Sequence, residues 1–254
     1  MTSISYQLYS SRNFLPWSNI IPRLAALGYT QVEGFGGVYD DAVGFRALLD
    51  SHSMRMPSGH FFPLGTLEEE LEASLNVART LGMQRIICPA PGDLWRQGTD
   101  AANWVALAQR LNEVGKRVND AGFRFGWHNH HWEFMPLADG TLPMDLLLEH
   151  APEMEWEMDV AWIVRGGADP VSWVNAYPGR VTTAHVKDLA PDTENADEDG
   201  WADVGDGVLD WKSLIQDLRD AGTDLFVVEH DNPSDWDRFA CRSIAAVNRY
   251  WNEQ

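Results

Sequence analysis

Two patterns of apolar positions alternate along the chain. Amphipathic stretches with helical spacing end in Leu-Gly or Ala-Gly, and a short apolar run follows each. This happens at Leu24-Ala-Ala-Leu-Gly28 before Gln31-Val-Glu-Gly34, and at Ala78-Arg-Thr-Leu-Gly82 before Arg85-Ile-Ile-Cys88. It recurs at Val118-Asn-Asp-Ala-Gly122 before Phe123-Arg-Phe-Gly-Trp127, and at Leu218-Arg-Asp-Ala-Gly222 before Leu225-Phe-Val-Val228. Glycine there supplies the left-handed cap that stops a helix and turns the chain back toward a sheet. Short strands alternating with amphipathic helices predict βαβ units and a parallel sheet.

Four more strands are read at Ile4-Ser-Tyr-Gln-Leu-Tyr9, Arg55-Met-Pro-Ser-Gly-His60, Glu155-Trp-Glu-Met-Asp-Val160 and Val181-Thr-Thr-Ala-His-Val186. Helices are expected near 16–27, 42–52, 67–81, 101–121, 143–150, 170–177, 211–221 and 235–251. Eight strands and eight helices in 254 residues favour an α/β fold of one particular kind: a single (β/α)8 TIM barrel forming one domain over residues 1–254. The first strand-to-helix turn, Tyr9-Ser-Ser-Arg-Asn13, lacks a glycine-rich phosphate fingerprint, which weighs against a dinucleotide-binding sheet. The longest irregular stretch, Asp188 to Asp210, follows the seventh strand and is expected to be a mobile loop over the site.

Composition narrows the partners. The net charge is -19, from 38 acidic and 19 basic residues, which argues against nucleic acid and anionic membranes as partners. No apolar run reaches a membrane-spanning length, and Met1-Thr-Ser-Ile-Ser-Tyr6 has neither a basic segment nor an apolar one of the secretory kind. The two cysteines form no disulfide framework, and Cys88 reads as a small buried residue. A cytoplasmic protein is expected, and homo-oligomerisation is left open. Of the 12 tryptophans, Trp127, Trp132, Trp162 and Trp201 lie near polar motifs and are candidates to line a pocket. Trp17, Trp104, Trp173 and Trp251 read as helix packing.

The strand ends carry the chemistry. In a barrel of this type, polar residues at the C-terminal ends of strands face the site. Here those ends are Glu33, His60, His128, Asp159, His185 and Glu229, too many ionisable groups for solvated surface alone. The fifth strand runs Trp127-His-Asn-His-His-Trp-Glu133, and alternation places His128 and His130 on one face. In the sixth, Glu155, Glu157 and Asp159 share a face; Glu155 is expected to meet solvent at the lower mouth. In the seventh, His185 and Lys187 share a face, and beyond the eighth Glu229 and Asp231 do the same. Carboxylates and imidazoles without thiolates suit Mn, Co, Mg, Fe or Zn in a working rather than a structural site.

These residues come with further motifs: Gln7-Leu-Tyr-Ser10, Val32-Glu-Gly34, Ser58-Gly-His60, Glu133-Phe134, Glu157-Met-Asp-Val160 and Gly167-Ala-Asp-Pro170. His185-Val-Lys-Asp188, Val204-Gly-Asp-Gly-Val-Leu-Asp210 and Val228-Glu-His-Asp231 complete the series. Together, and in this order, they resemble the xylose isomerase-like TIM barrel superfamily, nearest to the sugar phosphate isomerase/epimerase-type proteins. The resemblance implies one divalent metal ion, with manganese first in expectation, held by four residues from strands five to eight. Asp159, His185 and Glu229 match three of them. The first is a choice between Glu133 as ligand with His128 as a site residue or base, and the reverse assignment; Glu133 is expected. Catalytic roles fall to His128, Glu133, Glu229 and Lys187, and substrate contacts to Glu33, His60, His130 and Trp162. The 205–210 segment is expected as a structural turn over the pocket.

The resemblance implies proton abstraction next to a carbonyl that a divalent cation polarises. Returning the proton to a neighbouring carbon isomerises a monosaccharide or keto-sugar. Returning it to the opposite face epimerises, and expelling a leaving group makes the enzyme a lyase, such as an inosose-type dehydratase or a 3-keto-glycoside eliminating enzyme. A non-catalytic sugar-binding barrel is the weakest alternative, because it leaves the ionisable groups unexplained. Abasic-site endonuclease activity is disfavoured by the charge. Arg12, Arg96, Arg165 and Lys187 are candidate anion contacts, but without a phosphate loop an unphosphorylated substrate is expected. Arg165, in Ile163-Val-Arg-Gly-Gly167, also fits a plain surface or capping residue.

Overall fold

The computed structural model describes residues 4–92 and 100–253. Eight parallel strands close into a barrel: β1 Ile4–Gln7, β2 Gln31–Gly34, β3 Arg55–His60, β4 Arg85–Cys88, β5 Arg124–His128, β6 Glu155–Asp159, β7 Val181–Val186 and β8 Leu225–Val228. Each pairs with its neighbours in sequence, and β1 closes the ring against β8 through Ile4 opposite Phe226 and Tyr6 opposite Val228. Among the described residues ten helices surround it: α1 Trp17–Leu27, α2 Ala42–Ser51, α3 Leu64–Glu69, α4 Leu71–Leu81, α5 Ala101–Asp120, α6 Pro143–His150, α7 Val160–Arg165, α8 Pro170–Ala176, α9 Trp211–Asp220 and α10 Trp236–Asn252. Among the described residues no helix is long and apolar enough to cross a membrane.

Alternation along the strands sorts side chains between two environments. Ile86, Trp127, Trp156, Met158, Ala184 and Val228 point outward into the apolar layer beneath the helices. Their neighbours Gln7, Glu33, Ser58, His128, Glu157 and His185 point inward, where they contact one another. The helices end where the glycines stand: Gly28 caps α1 at φ 102° and Gly82 caps α4 at φ 77°, in the left-handed region that a side chain disfavours. Asp41, Asp100, Asp210 and Asp235 start helices by accepting backbone N–H bonds. Cys88 is buried and neither cysteine is bridged.

Two helices differ from expectation. The stretch read as one helix over 67–81 is two, α3 and α4, broken at Glu70 (φ -122°, ψ 34°). α7 has no counterpart in the sequence reading, which ends the sixth strand at Val160 and expects no further helix before 170. The Asp159 side chain instead accepts the Trp162 N–H and starts a helix there.

The Asp188–Asp210 stretch, expected as a mobile loop, is tethered. Asp188–Leu189 pairs antiparallel with Trp201–Ala202, and a 3-10 turn lies between them at Ala196–Glu198. The Asp188 carboxylate accepts N–H bonds from Leu189 (2.9 Å), Gly205 (3.0 Å) and Leu209 (3.1 Å). A Cβ on Gly207 would lie 2.2 Å from Asp188 Oδ1, so the carboxylate needs glycine there. The Asp188 and Gly205-Asp-Gly207 motifs are therefore two halves of one clasp.

Asp188→Ala should leave these buried donors unpaired and lower stability by ~1–3 kcal/mol. Gly207→Ala should act in the same direction by steric conflict. Urea unfolding measures the loss, and hydrogen exchange should show faster exchange at the Gly205 and Leu209 amides; unchanged protection in both variants would refute the clasp.

Candidate functional site

The inward-facing residues converge at the C-terminal mouth. Register fixes this: Gln7 lies opposite Glu33, Glu33 opposite Ser58, His128 opposite Glu157 and Asp159 opposite His185. Glu229 and Asp231 follow directly after β8. Glu33, Glu157, Asp159, His185 and Lys187 have no exposed side-chain surface, whereas Asp231 keeps 26% and His60 12%.

The cluster has two tiers. In the lower one, Glu33 accepts from Gln7 Nε2 (2.8 Å) and from the Ser58 hydroxyl, and its Oε1 lies 2.8 Å from His185 Nε2. His60 Nε2 lies 2.6 Å from Glu157 Oε2 and 3.2 Å from Glu33 Oε1. In the upper tier, the Lys187 ammonium lies 2.6 Å from Asp231, 3.3 Å from Glu229 and 3.4 Å from Asp159. His185 links the tiers, with Nδ1 2.8 Å from Glu229 Oε2.

Burial opposes charge throughout, and the neighbours decide which groups carry it. Burial lowers the affinity of His60 for a proton, but Glu157 and Glu33 outweigh it and hold His60 up at about 10. His185 is raised well above its ordinary value against burial, by Glu157, Glu229 and Glu33. Glu33 is lowered in turn, because His60 and His185 outweigh its burial. Glu229 is lowered too, with Lys187 and His185 overcoming the cost of burial. Asp159 is pushed up, by burial first and then by the Glu229 charge, against the pull of Lys187.

His128 behaves differently. Burial and the neighbouring His185 push it well below its ordinary value, so its ring is neutral. Its Nδ1 lies 3.1 Å from Glu157 Oε2 and donates there, which leaves the Nε2 lone pair directed toward Asp159 Oδ2, 4.0 Å away.

This donor set fits a divalent cation. One atom each from His128, Asp159, His185 and Glu229 lies within 4.8 Å of the others, and all four residues are buried. A second group, His60, His128, Glu157 and His185, shares two members with the first. His185 is cationic only while no metal is bound, since a ligand imidazole must be neutral; counted so, five carboxylates, Glu33, Glu157, Asp159, Glu229 and Asp231, face two cations, His60 and Lys187, and negative charge is left over for a metal to balance. The supports are also present: Glu157 orients His128, and Asn129 Oδ1 accepts the Asp159 N–H (2.9 Å) and Trp156 Nε1–H (2.8 Å).

Several sequence expectations are revised. Glu133 does not join either donor group: it is fully buried beside the outward-facing Trp127, accepting from Trp127 Nε1 (3.2 Å) and the His130 N–H (3.0 Å). The chain turns into a 3-10 helix at Trp132–Phe134 and carries Glu133 behind the strand, so His128 stands where Glu133 was expected. Lys187 is raised above its ordinary value: burial works against its charge, and Asp159 leads the carboxylates that outweigh it. It is thus a fixed ammonium that neither accepts a proton nor readily gives one up. Glu155 is not simply solvated, since Arg124 Nε and the Thr182 hydroxyl each donate to it at 2.6 Å. Trp127 is wholly buried outside the barrel and lines no pocket. Arg165 is more than surface: it lies 3.4 Å over the Trp201 ring and donates to the Asp199 carbonyl at 2.9 Å.

Glu33 and His60, expected to contact substrate, form the floor of the cluster. His130 stacks on Trp132 with centroids 4.0 Å apart, and with Trp162 it lies on the wall beside the cluster. The Lys187 ammonium sits 4.3 Å over Trp201 and 5.1 Å over Trp162. Arg12 donates to the Asp231 carbonyl at 2.6 Å, and Arg96 falls outside the described residues. The sequence reading gave no role to Asp231, Glu157, Gln7 or Ser58. The alternation of Glu229 with Asp231 was the available signal for Asp231, whereas Gln7 and Ser58 matter only because Glu33 lies between them.

The sequence profile of the xylose isomerase-like TIM barrel family matches residues 21–248. Among curated proteins, the chain is similar to an inosose dehydratase of Lacticaseibacillus casei, 24% identical over 137 residues. That match covers 49% of this chain and 46% of the relative, so the chain spans about half the length of that protein. Among solved structures it resembles a sugar phosphate isomerase/epimerase from Parabacteroides distasonis, with TM-score 0.78, 21% identity, and 95% and 92% of the two chains covered. It also resembles the IOLI protein with a bound zinc atom, with TM-score 0.80, 12% identity and 99% of each chain covered. At these identities the structural likenesses show the fold.

The packing of Lys187 makes a sharp expectation for chelator-treated protein. Lys187→Met strands three buried or half-buried carboxylates and should cost ~3–5 kcal/mol near neutral pH. Without the ammonium, their folded-state pKa values rise above the unfolded ones, so the folded state binds more protons and stability grows as pH falls. The deficit against the parent protein should therefore shrink on acidification toward about pH 5, read by urea unfolding at each pH. A deficit that is small, or that widens on acidification, contradicts this arrangement.

Proposed function

The chain belongs to the xylose isomerase-like TIM barrel family, and on that premise we propose that it is a divalent-metal-dependent enzyme acting on an unphosphorylated sugar or keto-sugar. The reaction is removal of a proton from the carbon next to a carbonyl, with isomerisation or epimerisation as the outcome. One observation carries the proposal: four buried donors from four successive strand ends, His128, Asp159, His185 and Glu229, gathered within 4.8 Å. When bound there, a divalent ion supplies the concentrated positive charge that makes a neighbouring C–H acidic. Manganese is the expected ion, and the zinc held by the IOLI protein keeps zinc as its rival.

The chain's own residues provide the rest. Asp231 is the most exposed carboxylate of the cluster, and its pKa is raised, by burial first and by Glu229, against Lys187. A carboxylate of raised pKa at the open side is suited to accept the proton. Lys187, 2.6 Å away, stays charged and positions that carboxylate, so the proton Asp231 takes is the one it can give back. Glu157 and Glu33 act from below by fixing the rings of His128, His60 and His185. His130, Trp132 and Trp162 offer ring surfaces beside the cluster against which a sugar face can lie. The unphosphorylated reading is supported by the mouth's cations: Arg12, Arg165 and Lys187 are each committed to carbonyls, rings or carboxylates.

A second reading is dehydration. The similarity to an inosose dehydratase favours it.

Purified protein should retain roughly one divalent ion per chain by metal analysis. His128→Ala and Asp159→Ala should lose it, and Glu133→Ala should keep it. Incubation with keto-sugars in deuterated water then separates the reactions. Isomerisation or epimerisation leaves deuterium at the reacting carbon, and dehydration gives an unsaturated product. Retention of no metal, together with no exchange after adding manganese or zinc, would sink the proposal.

A further inference from the structure

Beneath the cluster, polar side chains line much of the barrel interior. Barrels of this kind usually pack the inside with layers of bulky branched side chains. Here alternation turns Ser5, Gln31, Ser58, Arg85 and Thr183 inward. Ser5 is in register with Gln31, Ser58 with Arg85, and Thr183 with Glu157. Ile87, Leu225 and Val227 are buried but stand apart from the main apolar layer outside the strands.

Five buried polar atoms turned into the barrel have no hydrogen-bond partner in the protein: Ser5 Oγ, Gln31 Oε1, Arg85 Nε, Glu157 Oε1 and Thr183 Oγ1. Ser5 and Glu157 are 0% exposed, Thr183 1% and Arg85 4%, so bulk solvent does not satisfy them. Of the charged members, Glu157 Oε2 meets His60 and His128, and an Arg85 Nη2–H meets Asp224. Arg85 also lies within electrostatic reach of Glu157. An unsatisfied buried polar group costs ~1–3 kcal/mol, and five of them in one barrel would consume much of an ordinary domain's stability.

The chemistry of the set selects its ligand. Arg85 Nε can only donate, ionised Glu157 Oε1 can only accept, and the two hydroxyls can do both. An anion would meet the Glu157 charge, and a cation would meet the Arg85 charge. Water donates and accepts at once, and it occupies buried sites that offer two to four polar partners. We propose that the interior of the barrel, below the carboxylate–imidazole cluster, is a binding site for a cluster of ordered water molecules that bridges Glu157, Thr183, Arg85, Ser5 and Gln31. This site uses the Glu157 oxygen turned away from the imidazoles, so it stands whether or not the mouth holds a metal.

A high-resolution crystal structure of the full chain should show ordered waters within hydrogen-bond reach of at least three of the five atoms. Oxygen-17 relaxation dispersion should count the same long-lived waters in solution. Thr183→Val keeps the side-chain shape and removes the hydroxyl, so the count should fall by at least one; Ser5→Ala serves if that variant fails to fold. Empty density in the interior, side chains paired directly with one another, or a water count that the substitution leaves unchanged each overturn the proposal.

Discussion

Lys187 has no exposed side-chain surface, and its ammonium sits among Asp159, Glu229 and Asp231 with the Trp201 ring 4.3 Å away. The rest of the mouth depends on this contact. A carboxylate taken out of water without a partner is so costly that it protonates or the site opens. With Lys187 in place, three carboxylates from β6 and the segment after β8 can face one another. His185 then spans the gap to Glu33 and Glu157 below. The charged floor and the donor set above it are one electrostatic unit, closed by the barrel's own curvature.

That unit also sorts its histidines by role. In the metal-free protein His60 and His185 each meet more than one carboxylate and are held cationic. His128 meets Glu157 through one nitrogen and is surrounded by other imidazoles, so it stays neutral with a lone pair toward Asp159. Three chemically identical side chains thus differ in charge because of what stands next to them. This is why His128, rather than Glu133 behind the strand, is the residue with a free donor at the metal-capable position.

The segment after β7 extends the same logic outward. Asp188 follows Lys187 by one residue, faces away from the cluster, and gathers the backbone of Gly205 and Leu209. That clasp brings back Trp201, whose ring meets both Lys187 and Arg165. The wall over the cations is therefore built by the strand that supplies one of them.

By itself, the sequence determined the barrel and most of its boundaries. Periodicity and the Leu-Gly and Ala-Gly stops are local signals: they act within a turn of helix or a few strand residues, so β1 to β8 and most helices were legible. The same alternation showed that His128, Asp159, His185 and Glu229 stand at strand ends on the inner face. What it could not supply was which partner each side chain takes, whether near in sequence or far. Whether Glu133 turns toward the cluster depends on a 3-10 turn and on the Trp127 indole. The start of α7 depends on one carboxylate oxygen of Asp159 facing Trp162. The protonation of each histidine depends on carboxylates up to 152 residues away, as with His185 and Glu33. Spacing along a chain fixes which face a side chain takes; only the closed barrel decides which charges it meets there.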